Sequence, residues 1–576
     1  MERRTVNGDG DFRTAVAMTM AGTRAARAGA GVLFGVRVKQ LVTLEAVVAL
    51  LLVGLPPGRV VLALMVGVSM AGLALAPGGP RLTGLVSFLL RRRRTMIREP
   101  AGLLRLVAPG TTVITAELPA GTVALLAGPE GLTALVELDG PCPGLDALAP
   151  PGERPLVTTQ LVLTGVPGPS PLSGRGPAGD SYRRLTGGGV PFHHRAVLAI
   201  RVVRTNDRSE QEAHRFLLGL LRRLSRHAGA RPLDEAGLLR TLAELARVDD
   251  FPAAGRETWT HLHLGKSVHA TFRCRAADAE VQAQALSLPS VTTTVSLTTG
   301  AEALVRIAAP TVGMLESAAQ RLAERVETVR WDGSHRQGFA ATLPLGFSPG
   351  ADGAGARFRV VAGAGSRIGV AEVSRPDAGL VVGRNRHGRP ALAEVFRPVP
   401  TRVLLVGGIA CAQLLVFRAL AVGARVLVRT DRPARWEPFV LGTATTPGSL
   451  VLSPPERAFT ITPGSALRPI LIVQDTGRAA PPITGWQTVL TVREAVGAAD
   501  LHAAAESDLL LLQPLRENEA VLLGDRLRLG GTASLLTRIT SGMVAVIGRR
   551  SVRWVALSPT SVEKVLIGPV DRPAAR

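Results

Sequence analysis

LVTLEAVVALLLVGL (Leu41–Leu55), PPGR (Pro56–Arg59) and VVLALMVGVSMAGLALA (Val60–Ala76) are two apolar runs and the short link between them, the most hydrophobic part of the chain's first hundred residues. The second run carries no ionisable side chain and approaches the ~20 apolar residues that a helix needs to cross ~30 Å of hydrocarbon. The first run is shorter and contains Glu45, so the span is extended back to about Val36, with Arg37 and Lys39 snorkelling toward headgroups. Pro56-Pro57-Gly58 lacks helix propensity and suits a tight turn between two crossings. Basic residues crowd both outer flanks, from Arg3 to Lys39 before the first run and from Arg81 through Arg91-Arg92-Arg93-Arg94 to Arg98 after the second, while the turn has only Arg59. That bias predicts a multi-pass protein of the cell membrane with both termini cytoplasmic.

Net charge is +22 and the isoelectric point about 11.5, values that raise nucleic acid as a partner. The distribution argues otherwise. Up to Arg98 there are fourteen basic and four acidic residues, against 53 and 41 over the much longer remainder, so nearly half of the excess flanks the apolar stretch. Aromatics make up 3% and Lys39, Lys266 and Lys564 are the only lysines, which leaves little with which to stack bases. Anionic lipid beside Arg91–Arg94 accounts for that cluster better, and no nucleic-acid partner is expected. Cys142, Cys274 and Cys411 are few and far apart, without CxxC spacing, and fit a reduced cytosol as small buried hydrophobes.

From about Ala101 the pattern turns to short alternating runs, such as Thr112–Leu118, Thr122–Leu126 and Leu132–Leu138, which is hairpin grammar. A Pro/Gly/Ser-rich loop is expected from Pro167 to Gly189. Helical spacing marks Ser209–Ala228, Leu233–Val248 and Thr311–Val326, and a last strand pair is expected near Glu327–Trp331 and Phe339–Leu343. Beyond a Gly/Pro-rich boundary, strands alternating with helical connections (Arg402–Val406, Ala410–Leu420, Arg425–Val428) predict a parallel α/β sheet. The expected fold is an α-helical transmembrane hairpin followed by a cytosolic α+β domain and a C-terminal α/β Rossmann-like domain. Its parts are a disordered cytoplasmic tail (1–31), the two-helix hairpin (32–78), a basic juxtamembrane segment (79–99), the α+β domain (100–346), a linker (347–378), the α/β domain (379–570) and a tail (571–576).

Candidate chemistry is sparse. Val406-Gly407-Gly408 lies between strand and helix, where a dinucleotide phosphate loop would sit, with Asp431 past the next strand as a ribose partner. The further glycines of that fingerprint are missing. The alternatives are nucleotide binding through Gly407, Gly408 and Asp431, or a helix start that needs small residues for close packing. Gly265-Lys266-Ser267 resembles the end of a Walker A loop, but Thr260 replaces its first glycine and its flanks alternate as strands. His261, His263 and His269 lie close together, yet no carboxylate or cysteine completes a metal set. With neither GxSxG nor HExxH, no enzyme, cofactor or metal is indicated. Glu45 either sits at the interface beside Lys39 and Arg37 or pairs with a basic residue on a neighbouring subunit's helix.

Several strings, in order, resemble one family. They are Gln40-Leu41-Val42-Thr43-Leu44-Glu45, Glu257-Thr258-Trp259, Thr292–Leu297, Ala341-Thr342-Leu343-Pro344-Leu345-Gly346, Phe396-Arg397-Pro398, Val406-Gly407-Gly408, Ala412-Gln413-Leu414-Leu415, Gly423-Ala424-Arg425-Val426 and Val552-Arg553-Trp554. Their order is similar to that in EccE, a membrane component of actinobacterial type VII (ESX) secretion systems. Leu262 departs from the family by standing where a second tryptophan is expected after Trp259. The resemblance implies a non-catalytic scaffold that assembles with EccB, EccC and EccD, the EccC ATPase supplying the energy. Glu45 and Arg91–Arg94 would then be assembly and membrane-surface residues.

Overall fold

The computed structural model describes residues 94–572, except 120, 130, 140–156, 172–175, 205–209, 227–228, 249, 275–278, 299–301, 347–377, 444–445, 458–462 and 549–550, together with 32–33 and 36–37. Two pieces of strand, β1 (Val32–Leu33) and β2 (Val36–Arg37), pair antiparallel. The remaining described chain belongs to one compact unit, Arg92–Arg576.

That unit is built on two large sheets. The first has thirteen strands: β3 (Thr95–Ile97), β4 (Thr112–Leu118), β5 (Gly121–Gly128), β6 (Gly131–Leu138), β7 (Val157–Gly168), β8 (Val190–Val203), β9 (Ala230–Pro232), β10 (Ala253–Glu257), β11 (Leu262–Leu264), β12 (Ser267–Cys274), β13 (Thr292–Thr298), β14 (Ala303–Ala309) and β15 (Thr328–Arg330). Its spatial order is β3-β10-β11-β12-β14-β13-β7-β8-β6-β5-β4, with β15 beside β12 and β9 beside β6, and neighbours run antiparallel. Alternation sorts its side chains between two faces. Leu161, Leu163, Leu198 and Ile200 bury against α3 (Glu210–Leu224), which offers Leu217, Leu220, Leu221 and Leu224 at helical spacing. Val162 and Val197 turn the other way, toward α1 (Pro100–Val107), α4 (Glu235–Leu245) and α7 (His335–Ala341). Each fully buried leucine of these layers is worth about 1.5–3 kcal/mol. Two further helices, α5 (Ala279–Leu286) and α6 (Val312–Arg325), complete the first face.

The second sheet has ten strands: β16 (Leu380–Arg384), β17 (Pro390–Ala393), β18 (Thr401–Val406), β19 (Arg425–Thr430), β20 (Leu450–Ser453), β21 (Ile470–Asp475), β22 (Gln487–Arg493), β23 (Leu509–Leu512), β24 (Met543–Gly548) and β25 (Ser551–Ala556). The order is β17-β16-β25-β24-β23-β18-β22-β21-β19-β20, parallel from β23 to β20 and antiparallel from β17 to β23. On one face α8 (Ile409–Ala421) is buried almost all round, the pattern of an interior helix, and packs on Val403 and Leu405. The opposite face sets Leu404, Val406, Leu510 and Leu512 against α10 (Leu501–Glu506) and α11 (Glu517–Leu527).

The fold expected from the sequence is corrected in three respects. A helical hairpin followed by two domains gives way to a mostly β architecture of one antiparallel and one mixed sheet. At Val36, where the first span was to begin, the backbone is extended and paired rather than helical. The rest of that hairpin lies outside the described residues. Second, among the described residues no helix is long and apolar enough to cross a membrane, which overturns the multi-pass localisation with two cytoplasmic ends. Third, the Rossmann-like order fails because β18 and β19 are not neighbours: β22 and β21 stand between them.

Two local readings also change. The expected loop from Pro167 to Gly189 contains α2 (Pro177–Thr186), which opens on Pro177 and closes on Gly187 in the left-handed region at φ 67°. Phe339, expected in a strand, lies in α7, where Gly338 lets the helix rest directly on Thr271 of β12. Helix α2 inserts Tyr182 and Leu185 into the core of the second sheet. There the Val381 N–H donates to Tyr182 Oη at 3.1 Å, and Ser181 shares a 2.7 Å hydrogen bond with Thr560.

Candidate functional site

Ligands of open parallel sheets bind at the carboxyl ends of the strands, where successive connections leave to opposite faces. Here that place is the end of β18 and β22, because α8 leaves β18 toward one face and α10 follows β22 on the other. Gly407 and Gly408 lie there together, at the turn into α8. Gly407 N–H donates to the Arg493 carbonyl at 2.8 Å, which prolongs the β18–β22 ladder across the crevice. Gly408 N–H, the amide that would meet a phosphate, donates instead to Gln513 Oε1 at 2.8 Å. Gln513 is fully buried and its Nε2 donates to the Val570 carbonyl at 2.6 Å. A Cβ at Gly407 would fall inside the Gln513 side chain, so glycine is required here for close approach.

Asp431 is not brought to this turn. It is exposed at the end of β19, three strand spacings from β18, or about 14 Å at ~4.8 Å per strand. The nearer strand ends carry Asp475 and Arg493, and both are occupied. Asp475 accepts from Thr430 Oγ1 (2.9 Å), Trp436 Nε1 (2.9 Å) and Arg432 Nη2 (2.6 Å), while Arg432 Nη1 also reaches Glu494 at 2.6 Å. Arg493 Nε donates to Asp500 at 2.7 Å. Arg572 donates to both oxygens of Glu519, at 2.6 and 2.8 Å. A cleft of about 340 Å³ remains beside Gly408, lined by Ile409, Gln413, Arg435, Phe439 and Leu566 among others, and Asp431 does not line it.

A second cleft, of about 450 Å³, lies where the two sheets meet, bounded by Arg195, Arg231 and Arg240 from the first and by Pro398 and Trp486 from the second. Its floor is a buried charge network. Arg195 Nε donates to Glu137 at 2.7 Å, and its other nitrogens bond Glu244 and Thr241; Arg231 also bonds Glu137. Burial pushes both carboxyls up, but Arg195 and Arg231 hold Glu137 below the usual carboxylate range while Glu244 stays above it. Glu244 Oε1 also accepts the Ala466 N–H of the second sheet's side at 3.2 Å, so the network ties the two halves.

Glu45, Arg91, Arg92 and Arg93 lie outside the described residues, and Arg94 is exposed. His261 and His263 do come together, their Nε2 atoms 2.8 Å apart, and burial together with the neighbouring ring lowers the His261 pKa. His269 stands apart, buried edge-on to Phe339. Among the described residues no group of three His, Cys, Asp or Glu side chains could hold a metal ion. Lys266 turns the β11–β12 hairpin and pairs with Asp250 at 2.6 Å. Cys274 and Cys411 are buried, and burial pushes their thiols up to about 11 and about 12; Cys142 lies outside the described residues.

Sequence reasoning missed the buried ion pairs. Their one local signal is an arginine inside an apolar run, as in Leu415-Val-Phe-Arg-Ala-Leu420, since such a charge is rarely buried unpaired. No family model matches the chain, and no curated protein matches it.

Proposed function

We propose that the chain is a non-catalytic structural subunit of a type VII (ESX) secretion complex that braces EccB-, EccC- and EccD-type components, the EccC-type ATPase supplying the energy. The identity of the system rests on the ordered EccE-like strings, from Gln40–Glu45 to Val552-Arg553-Trp554. The non-catalytic role is supported chiefly by one observation, the Gln513 side chain seated on the Gly408 amide, which takes up the donor that a phosphate would need. Docking is supported by Leu441 and Val565, 83% and 90% exposed, on α9 (Glu437–Gly442) and α12 (Ser561–Ile567), two helices that pack together. Co-expression of the tagged full chain with EccB-, EccC- and EccD-type subunits tests the reading. Capture of those subunits in a fixed ratio is expected; capture of the chain alone contradicts it.

A further inference from the structure

Arg306, in the middle of β14, is 1% exposed, and among the described residues the charged group that acts on it, Arg247, has its own sign. Its Nη2 donates to the Leu245 carbonyl at the end of α4 (2.6 Å) and, more weakly, to Thr294 Oγ1 (3.3 Å). The Phe339 ring covers the guanidinium at 4.7 Å. Nε and Nη1 have no partner among the described residues. The helix end and the ring offset part of the charge. Arg247 adds to it, and together with burial lowers the Arg306 pKa to about 9, still cationic at neutral pH.

The strand register places other unpartnered groups around the same spot. Thr271 of β12 lies directly opposite Arg306, and one pair further along, Ala308 is flanked by His269 of β12 and Thr292 of β13. Residues two apart on a strand share a face, so all five lie on one side of the sheet with the short Ala308 side chain at the centre. Thr271 Oγ1, Thr292 Oγ1 and both His269 ring nitrogens are buried without partners among the described residues. The Phe339 ring, 5.3 Å from the His269 ring, roofs the group. Burial, then Arg306 and Arg247, lowers the His269 pKa well below its ordinary value, so the ring is neutral and offers one N–H donor.

We propose that this face binds one small monovalent anion, a halide such as chloride, over Ala308. Arg306 Nε and Nη1, the hydroxyls of Thr271 and Thr292 and the N–H of His269 are its donors. A neutral water could accept the same hydrogen bonds but would leave the guanidinium charge uncompensated in a low-dielectric interior, where an unpaired ion is costly. One cation lacking a counter-charge among the described residues calls for one negative charge, and a monatomic ion can accept from donors on several sides at once.

The test is thermal and chemical unfolding of the full chain in sodium chloride, bromide or gluconate at constant ionic strength, with a bromide-soaked crystal for anomalous scattering. Above the dissociation constant, each tenfold rise in free chloride is expected to multiply the folding constant about tenfold. Bromide should substitute and gluconate should not. Arg306→Met should abolish the dependence and Thr292→Val should weaken it, with a bromide peak over Ala308. Equal stability in chloride and gluconate, a halide response undiminished in both variants, or a bromide-free site over Ala308 would each overturn the proposal. Should Arg306→Met fail to fold, Thr292→Val and the anomalous map decide it.

Discussion

Gly408 and Gln513, 105 residues apart in the chain, are joined by a single 2.8 Å hydrogen bond in which the glycine amide donates to the side-chain carbonyl. The amide of the residue that caps α8 is thereby spent inside the protein. Gln513→Ala leaves the Gly408 N–H and the Val570 carbonyl without this partner and should cost about 1–3 kcal/mol in urea unfolding. An unchanged unfolding midpoint would mean that the contact is incidental. The full chain should also give a flat ATP or NAD titration, and saturable binding abolished by Gly408→Asp would instead favour a nucleotide-binding role.

Arg418 and Glu563 form an ion pair with no side-chain exposure on either partner, at 2.9 Å. The same guanidinium donates to the Val382 and Leu557 carbonyls at 2.6 and 3.0 Å, and Glu563 caps α12 through the Thr560 N–H at 2.8 Å. Removing one member leaves a buried charge without its counter-ion, so Arg418→Met should destabilise by about 3–5 kcal/mol. The double variant Arg418→Met/Glu563→Leu should recover part of that loss, which a double-mutant cycle measures.

Tyr182 reaches 199 residues along the chain to accept the Val381 amide. Tyr182→Phe keeps the ring but orphans a buried N–H, at a cost of about 1–3 kcal/mol. Faster hydrogen exchange confined to Leu380–Arg384 would mark the loss. Uniform exchange across both sheets would show that α2 does not secure this strand.

These contacts also mark the limit of what the sequence discloses. The period of Phe216, Leu217, Leu220, Leu221 and Leu224 announces α3 because helical spacing and burial are both local facts. Helix α2 is hidden, since Pro-Ala-Gly-Asp-Ser-Tyr-Arg-Arg-Leu-Thr offers only Tyr182 and Leu185 as large apolar anchors amid loop-like composition. The turn at Gly407-Gly408 is legible as strand-to-helix punctuation, but Gln513 is not. Its position depends on β23 lying beside β18, and strand order is a long-range outcome of which later segment pairs where. For the same reason Asp431 reads as a ribose partner until β21 and β22 intervene. Glu137, Arg195 and Glu244 come from three elements, and nothing local announces their meeting.

Glu519 has a 1% exposed side chain and accepts the Val496 and Arg516 amides at 3.1 and 2.9 Å besides both Arg572 nitrogens. Burial raises its pKa, but the Arg572 and backbone hydrogen bonds outweigh that and hold the carboxyl below its ordinary range. On acidification the unfolded chain therefore takes up the proton first. The stabilisation is present above the ordinary carboxylate pKa and is lost as pH falls through the folded value. Denaturation across that range should show wild type and Glu519→Gln well separated at neutral pH and converging in acid. A gap that is constant with pH would rule out the linkage.

The proposed role as a structural subunit working through its surfaces can be checked by capturing the tagged full chain from its native host under mild extraction and weighing what accompanies it. Recovery in a high-mass assembly that contains an EccC-type ATPase together with EccB- and EccD-type subunits is expected. Recovery as an isolated monomer, with those subunits assembled normally in a strain lacking this chain, would contradict it.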